Sequence, residues 1–327
     1  MRNKFCLLLM IIVLGWAWSA EAQQQANMPR IGFLSAMSTS AGASYREVFR
    51  EGLRQLGHVE EQNIIIEWRY ADGRDERLPD MAAELVRLRV DVIVTHSTPA
   101  IRAVQHATKI IPIIMANVGD PIAAGFVASL AHPGGNITGF TNLSPDLSTK
   151  RLELLKEVSP RIRRVAVFQN AAQHGPAMKD VQAAAKFLGV QLQTLEVRGP
   201  NDLEMAFAAI TRERADALMT LPNPLLRQDD RPRKRIVDFT LNRRMPSMHE
   251  GNEYVEAGGL MSYGPDDDDN FRRAATYVDK ILKGSKASEL PVQRPMKFEF
   301  AVNLNAAKQI GLTVPPNLLV RANRVIR

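Results

Sequence analysis

Arg89-Val-Asp91-Val-Ile-Val-Thr95-His-Ser-Thr-Pro99 and Arg214-Ala-Asp216-Ala-Leu-Met-Thr220-Leu-Pro-Asn-Pro224 are two versions of one eleven-residue stretch, 125 positions apart. Each is a short apolar run entered through Arg-x-Asp and left through Thr-x-x-x-Pro, the pattern of a buried strand that feeds a helix. The flanks repeat too. Arg30-Ile-Gly-Phe-Leu34 resembles Arg164-Val-Ala-Val-Phe168, Leu56-Gly57 resembles Leu188-Gly189, and Ile111-Pro112 resembles Met245-Pro246. Arg-x-Asp before a buried strand is common by itself, but matching flanks make duplication the better account. Two like lobes make a cleft between them.

The first residues carry an export pattern. Arg2 and Lys4 precede an apolar run from Phe5 to Trp18, too short for a comfortable span, and Ala20-Glu21-Ala22 supplies a small-x-small cleavage pattern. A leader over 1–22 is therefore expected, with the mature chain starting near Gln23 in the periplasm. The single cysteine, Cys6, falls inside that leader, so no disulfide, thiol nucleophile or thiolate ligand is expected in the mature chain. Removing 22 of 327 residues leaves 305, which at about 150 residues per domain fits two domains. The net charge of +7 is spread along the chain without interleaved aromatics, so no nucleic-acid partner is expected. The densest basic run, Arg231-Pro-Arg-Lys-Arg235, follows Asp229-Asp230 and reads as the solvated start of a helix.

Outward from the repeat, strands and helices alternate without pause. Strands are expected at 31–35, 64–68, 92–95, 113–116 and 137–141, with a helix from Ser44 opened by a Ser44-x-x-Glu47 capping box. The second half runs from a helix at Ser144-Pro145 through strands 165–169, 191–197, 217–221 and 246–249, with Asn201-x-x-Glu204 capping a helix. Such alternation gives parallel sheets covered by helices on both faces. The fold class is therefore α/β, two Rossmann-like lobes joined by a multi-strand hinge. The tail, with a strand at 258–263 and a helix at 265–282, implies three crossings near 141–144, 251–263 and 284–295. The N-terminal lobe is expected to comprise 28–141 plus 262–285, and the C-terminal lobe 142–261 plus 286–327.

Ligands of open parallel sheets sit beyond the carboxyl ends of the strands. Those ends carry small hydrogen-bonding groups: Ser38, Thr39 and Ser40; Ser97 and Thr98; Asp120; Asn142; Asn170; Asn223; Glu250; and Tyr263. Thr98, Asp120 and Asn223 each precede proline, which helix starts also prefer. Capping and ligand binding are compatible, because first-turn amides also hold anions. Asp120 and Glu250 could neutralise an ammonium. The six histidines have no ligand spacing, and Asp266-Asp-Asp-Asp269 lacks the glycine and bidentate glutamate of a calcium loop. It fits an acidic first helical turn better. No phosphate loop, dinucleotide fingerprint or Gly-x-Ser-x-Gly occurs, so neither metal nor cofactor is expected.

Further stretches extend the pattern: Phe49-Arg-Glu-Gly-Leu-Arg-Gln-Leu-Gly57, Val118-Gly-Asp-Pro121, Leu130-Ala-His-Pro-Gly-Gly-Asn136-Ile-Thr-Gly, Lys150-Arg-Leu-Glu-Leu-Leu-Lys156 and Glu256-Ala-Gly-Gly-Leu-Met-Ser-Tyr-Gly264. With them the chain resembles the ABC transporter substrate-binding proteins of the type I periplasmic fold, whose better-known members bind tryptophan and other aromatic amino acids. The resemblance runs from Ile31 to about Arg321. It implies a non-enzymatic, monomeric receptor that closes on a small polar solute, an amino acid or similar, and delivers it to an inner-membrane ABC permease. Two departures add polarity at cleft positions: His96-Ser97 before Thr-Pro, and Met248-His249-Glu250-Gly251 where the family places an aromatic and a glycine. A rival from another class is an exported α/β hydrolase using Asp120 or Glu250 with a nearby histidine. A third is a sensor module for a membrane receptor.

Overall fold

The computed structural model describes residues 28–142, 146–169, 171–223, 226 and 230–327. The expected leader, Ser144, Asn170 and Pro224 lie outside the described residues. The first sheet is wholly parallel, in the order β2-β1-β3-β4-β5. Its strands are β1 (Arg30–Ser35), β2 (Ile65–Tyr70), β3 (Val92–His96), β4 (Ile113–Asn117) and β5 (Ile137–Gly139). Helices α1 (Ala43–Gln55), α2 (Leu78–Arg87) and α3 (Thr98–Ala107) connect them. Strand β3 reads Val-Ile-Val-Thr-His with every residue buried, as a central parallel strand covered on both faces requires.

The second half continues α4 (Asp146–Val158), β6 (Arg164–Gln169), α5 (Ala171–Phe187), β7 (Gln191–Glu196), α6 (Leu203–Glu213), β8 (Ala217–Thr220), α7 (Asp230–Asn242) and β9 (Ser247–His249). Then come α8 (Asn252–Glu256), β10 (Met261–Pro265), α9 (Asp267–Leu282), β11 (Phe298–Asn303), α10 (Leu304–Ile310), α11 (Pro316–Arg321) and β12 (Arg324–Ile326). The second sheet has the order β12-β11-β10-β9-β8-β6-β7. It is parallel except where β11 runs antiparallel to β10. That pairing, and the short β12 beside β11, were not expected from the tail.

The repeat is one construction built twice. Arg89 and Arg214 both adopt left-handed backbone, φ 51° and 56°, ending helices α2 and α6 and turning the chain into the next strand. The aspartate two residues on then accepts backbone N–H groups of the neighbouring strand: Arg30 for Asp91, and Arg163 and Arg164 for Asp216. Gly57 and Gly189 close α1 and α5 with φ of 87° and 65°, a conformation that costs glycine little. The carbonyl of each proline accepts from the adjacent, preceding strand in the same way: Ile93 N–H to Pro112 O, and Leu218 N–H to Pro246 O.

Two expected caps form differently. Helix α1 starts at Ala43 behind Gly42, with no side-chain cap. Glu47 instead faces Arg46 and Arg50, because the turn at Ser38–Gly42 already satisfies the preceding amides. Before α6 it is Asp202, not Asn201, whose carboxylate accepts Arg198 and Gly199 N–H. In the basic run, Lys234 and Arg235 pair at the surface with Asp238 and Glu204, but Arg233 is buried.

Each sheet has its own core. Phe33, Phe49, Val92, Val94 and Ile114 of the first sheet and its helices pack with Phe271, Ala274, Tyr277 and Val278 of α9. Burying a side chain such as Phe271 contributes about 2–3 kcal/mol, so this late helix is a structural part of the first lobe. Strand β10, by contrast, pairs with β9 and β11 of the second sheet. Leu290 and Val292 pack in the first-sheet cores, and Gln293 bridges Phe140. The second crossing therefore falls at Pro265–Asp266, just past the expected 251–263, and the third after Gln293, within the expected 284–295. Apolar pairing drew the boundary: Met261 and Tyr263 complete the second core.

Candidate functional site

At the carboxyl end of the first sheet, β1 and β3 are tied by a buried Ser35 Oγ–His96 Nε2 contact of 2.8 Å. The ring of His96 stands edge-on to Phe271, 5.4 Å between centroids, and also edge-on to Tyr45. It lies 7% exposed, so this departure from the family pattern is spent mainly on joining strands. Burial pushes the Tyr70 phenol up to about 12, keeping it protonated.

Ser97 follows. It has φ 69° and ψ 144°, a conformation disfavoured for residues with a Cβ and often found where function holds the chain. Its N–H donates to the Asn117 carbonyl at 3.0 Å. Ser97 is the N-cap of α3, yet its side chain makes no capping bond, and its buried Oγ has no hydrogen-bond partner among the described residues. Asn117, at the end of β4, donates its Nδ2 to Asp267 Oδ1 at 2.6 Å. A carboxylate partner fixes which way the amide points, so Asn117 presents its Oδ1 as an acceptor, buried and equally without a donor among the described residues. Asp267 also accepts the Tyr45 hydroxyl at 3.4 Å. Two acceptors on neighbouring strand ends thus lie beside a carboxylate and above first-turn amides that no serine side chain occupies.

The remaining expected residues divide by what holds them. Ser38 Oγ accepts Ala41 N–H and touches Ser40 Oγ at 3.1 Å, shaping the β1–α1 loop, and Thr39 is exposed. Thr98 opens α3 ahead of Pro99. Asp120 is exposed and its Oδ1 accepts Ile122 and Ala123 N–H, both at 3.0 Å, so it caps the following turn. Asn142 lies in the first crossing, its N–H on Val118 O at 2.7 Å. Asn223 is buried and donates to Val197 O at 2.8 Å, a bond that joins two loops. Tyr263 packs its ring on Phe298 and Phe300, on the sheet face, while its carbonyl accepts Arg151 Nε at 2.6 Å.

Glu250 is buried, 3% exposed, and accepts the Thr220 hydroxyl. Thr220 also meets His249 Nδ1, whose Nε2 meets Ser247 Oγ, each at 3.1 Å. The proton order follows from the donors. Thr220 gives its proton to Glu250 and so accepts from Nδ1–H, which leaves Nε2 to accept from Ser247. His249 stacks on Tyr254 at 4.4 Å, is fully buried, and is pushed down to about 3 by that burial. His249 is buried with both ring nitrogens engaged by Thr220 and Ser247, so it is placed as a packed core group rather than as a base beside Glu250. Among the described residues no group of three or more His, Cys, Asp or Glu could hold a metal. No helix among them is long and apolar enough to cross a membrane.

Two lobes with polar strand ends recur in known proteins. The profile of the ABC transporter substrate binding protein family matches residues 30–326. The chain belongs to that family. A tyrosine-binding protein of Clostridioides difficile (strain R20291) is 27% identical over 296 residues, 89% of this chain and 83% of that one. A solved ABC domain from Streptococcus pneumoniae in complex with L-Trp superposes with TM-score 0.82 at 25% identity, covering 92% of this chain and all of that one. A conserved domain protein from Vibrio cholerae gives 0.82 at 27%, covering 91% and all of it. This family member is accordingly a substrate-binding protein and not an enzyme.

The sequence places Asn117 among the polar strand ends without singling it out as a ligand residue, and it gives no sign of Asp267, Tyr45 or Arg151 as site or hinge groups. Asp267 lies 150 residues from Asn117, and in sequence it looks like helix-dipole chemistry alone. The Asp266 cap on Asp269 N–H does form. One signal was available: Asn117 ends a run of apolar residues at a strand terminus.

Proposed function

We propose that the protein is the periplasmic receptor of an ABC importer, closing two lobes on a small solute that carries an ammonium beside a carboxylate, as an amino acid does. The observation that carries this reading is the pair of buried acceptors, Ser97 Oγ and Asn117 Oδ1, that have no donor among the described residues. An unpaired buried acceptor costs about 1–3 kcal/mol, which a ligand's N–H groups would recover. Asp267 adds the matching negative charge. The first-turn amides of α3 suit the carboxylate, and Thr98 stands at that turn.

Ser38 to Ser40 and Asp120 border the same end of the first lobe. Asn142 lies at the crossing, where lobe closure would move it. On the second lobe, Glu250 is 3% exposed and already accepts the Thr220 hydroxyl at one oxygen, so it ranks below the first-lobe set. Closure would be driven by the contacts that only the shut form makes. A monomeric state and delivery to an inner-membrane permease accompany this reading.

Calorimetry against the common amino acids tests it. Binding of at least one is expected, with Ser97→Ala and Asn117→Leu each weakening it roughly tenfold to a hundredfold, the loss of one hydrogen bond to a charged donor. Wild-type affinity in both variants would sink the site. Uptake of the labelled solute should fail in cells lacking the chain. Binding without any uptake phenotype would redirect the receptor from transport to sensing.

A further inference from the structure

The opposite end of the second sheet carries a second feature that solute binding does not use. Where β6 and β7 begin, an open cavity of about 960 Å³ is lined by Lys156, Arg161, Arg163, Arg164, Arg214 and Asp216. Five cations face one carboxylate there, and Asp216 Oδ2 is already held by the Arg163 and Arg164 backbone N–H groups at 2.8 Å. Arg164 spends its guanidinium on the Glu213 carbonyl and Gln191 Oε1, and Lys156 reaches the Ile162 carbonyl. Arg161, Arg163 and Arg214 are exposed. No lining cation makes an ion pair among the described residues.

The duplicated architecture supplies an internal control. In the first lobe the equivalent Arg30 is neutralised by Glu67 at 3.0 Å, and Pro29 stands where Arg163 does. Glu67 pairs in register with Gly32, and Gln193 pairs with the corresponding Ala166. The second lobe thus lacks the acid and gains an arginine at the same structural positions. The duplicated fold needs no such cluster, since the first lobe folds without one, and like charges held together oppose folding.

We propose that this cavity binds a multiply charged, phosphate-bearing anion. Several guanidinium groups converging on one concavity match phosphate oxygens bidentately, and their summed charge exceeds what one carboxylate would balance. The phosphate could belong to a free anion or to lipid headgroups of a membrane surface.

Inorganic pyrophosphate and phosphatidylglycerol vesicles separate the two sources, using the purified protein at low ionic strength. Pyrophosphate is expected to raise Tm by a few degrees over sodium chloride of equal ionic strength. Arg163→Glu, and separately Arg161→Gln, should weaken that response at least tenfold. Lys109→Glu, with the same charge change as Arg163→Glu at an exposed site outside the cavity, should keep it. Co-sedimentation with phosphatidylglycerol but not phosphatidylcholine vesicles assigns lipid as the source; a pyrophosphate response without vesicle binding assigns a soluble anion. No pyrophosphate response in the wild type, or an equal loss in Lys109→Glu, overturns the proposal.

Discussion

Asp91 and Asp216 perform the same act in the two lobes, each carboxylate accepting backbone N–H groups from the start of the adjacent strand. Asp91 receives Arg30 N–H at 2.7 Å, and Asp216 receives both Arg163 and Arg164 N–H at 2.8 Å. The Arg-x-Asp motif is therefore a splice between a helix end and two strands, which explains its duplication without reference to ligand.

That splice is expected to be worth roughly 0.5–1.5 kcal/mol per hydrogen bond. Asp216→Ala, losing two bonds, should lower the denaturant midpoint more than Asp91→Ala, and solute affinity should change in neither. Equal or absent destabilisation in urea melts would contradict the assignment.

Ser97 combines a strained backbone with an uncapped hydroxyl, and glycine separates the two. Ser97→Gly relieves the φ of 69° and should raise Tm or leave it level, since glycine tolerates that region. Solute affinity should nevertheless fall, because the Oγ acceptor is gone. A variant that binds as tightly as wild type would show that Ser97 is strained for folding alone.

His249 links stability to pH. Its folded value of about 3 lies below the ordinary 6.5, so unfolding takes up a proton wherever the unfolded ring is charged. The stabilisation is fully present above pH 6.5 and is lost as pH falls from 6.5 toward 3, at up to about 1.4 kcal/mol per unit. Urea melts of His249→Asn against wild type should show a stability difference that shrinks or reverses as the pH drops through that window. A difference independent of pH would mean that the ring does not stay neutral when folded.

Gly264 sits near the end of β10, just before the chain crosses to the first lobe, where a Cβ would collide with the Glu250 carbonyl oxygen. Backbone cannot yield as a side chain tip can, so Gly264→Ala is expected to cost on the order of 1–3 kcal/mol, the range of overpacking. It should also disturb solute binding by displacing the Glu250 loop. Chemical denaturation with parallel calorimetry reads both; an unchanged midpoint would show that the two strands can separate freely.

Much of this was legible before any coordinates. Strand β3 and its copy β8 announce themselves through unbroken apolar runs, and the glycines after Leu56 and Leu188 mark helix ends, because both signals depend only on near neighbours. Caps were less secure. Ser44 and Asn201 sit at plausible capping spacing, but Gly42 and Asp202 open those helices, since the turn before each had already satisfied different amides. Among site residues, Asn223 and Tyr263 have the right placement and the wrong occupation: the loop at Val197 and the face made by Phe298 and Phe300 claimed them. Glu250 was noticed for its charge, while the buried Thr220–His249 chain that engages it was not visible.

Duplication, the α/β class, the family resemblance and the polar strand ends were readable in the chain, because periodicity and local motifs belong to short stretches. Which of those polar groups are already satisfied depends on contacts that only folding brings together. Hydrogen bonds such as Asn117–Asp267 and Arg151–Tyr263 span 150 and 112 residues, and no local pattern encodes who meets whom at that distance. The repeated Thr98 and Asn223 marked the two lobes. The oxygens of Ser97 and Asn117, without a partner among the described residues, are where we propose that a ligand binds.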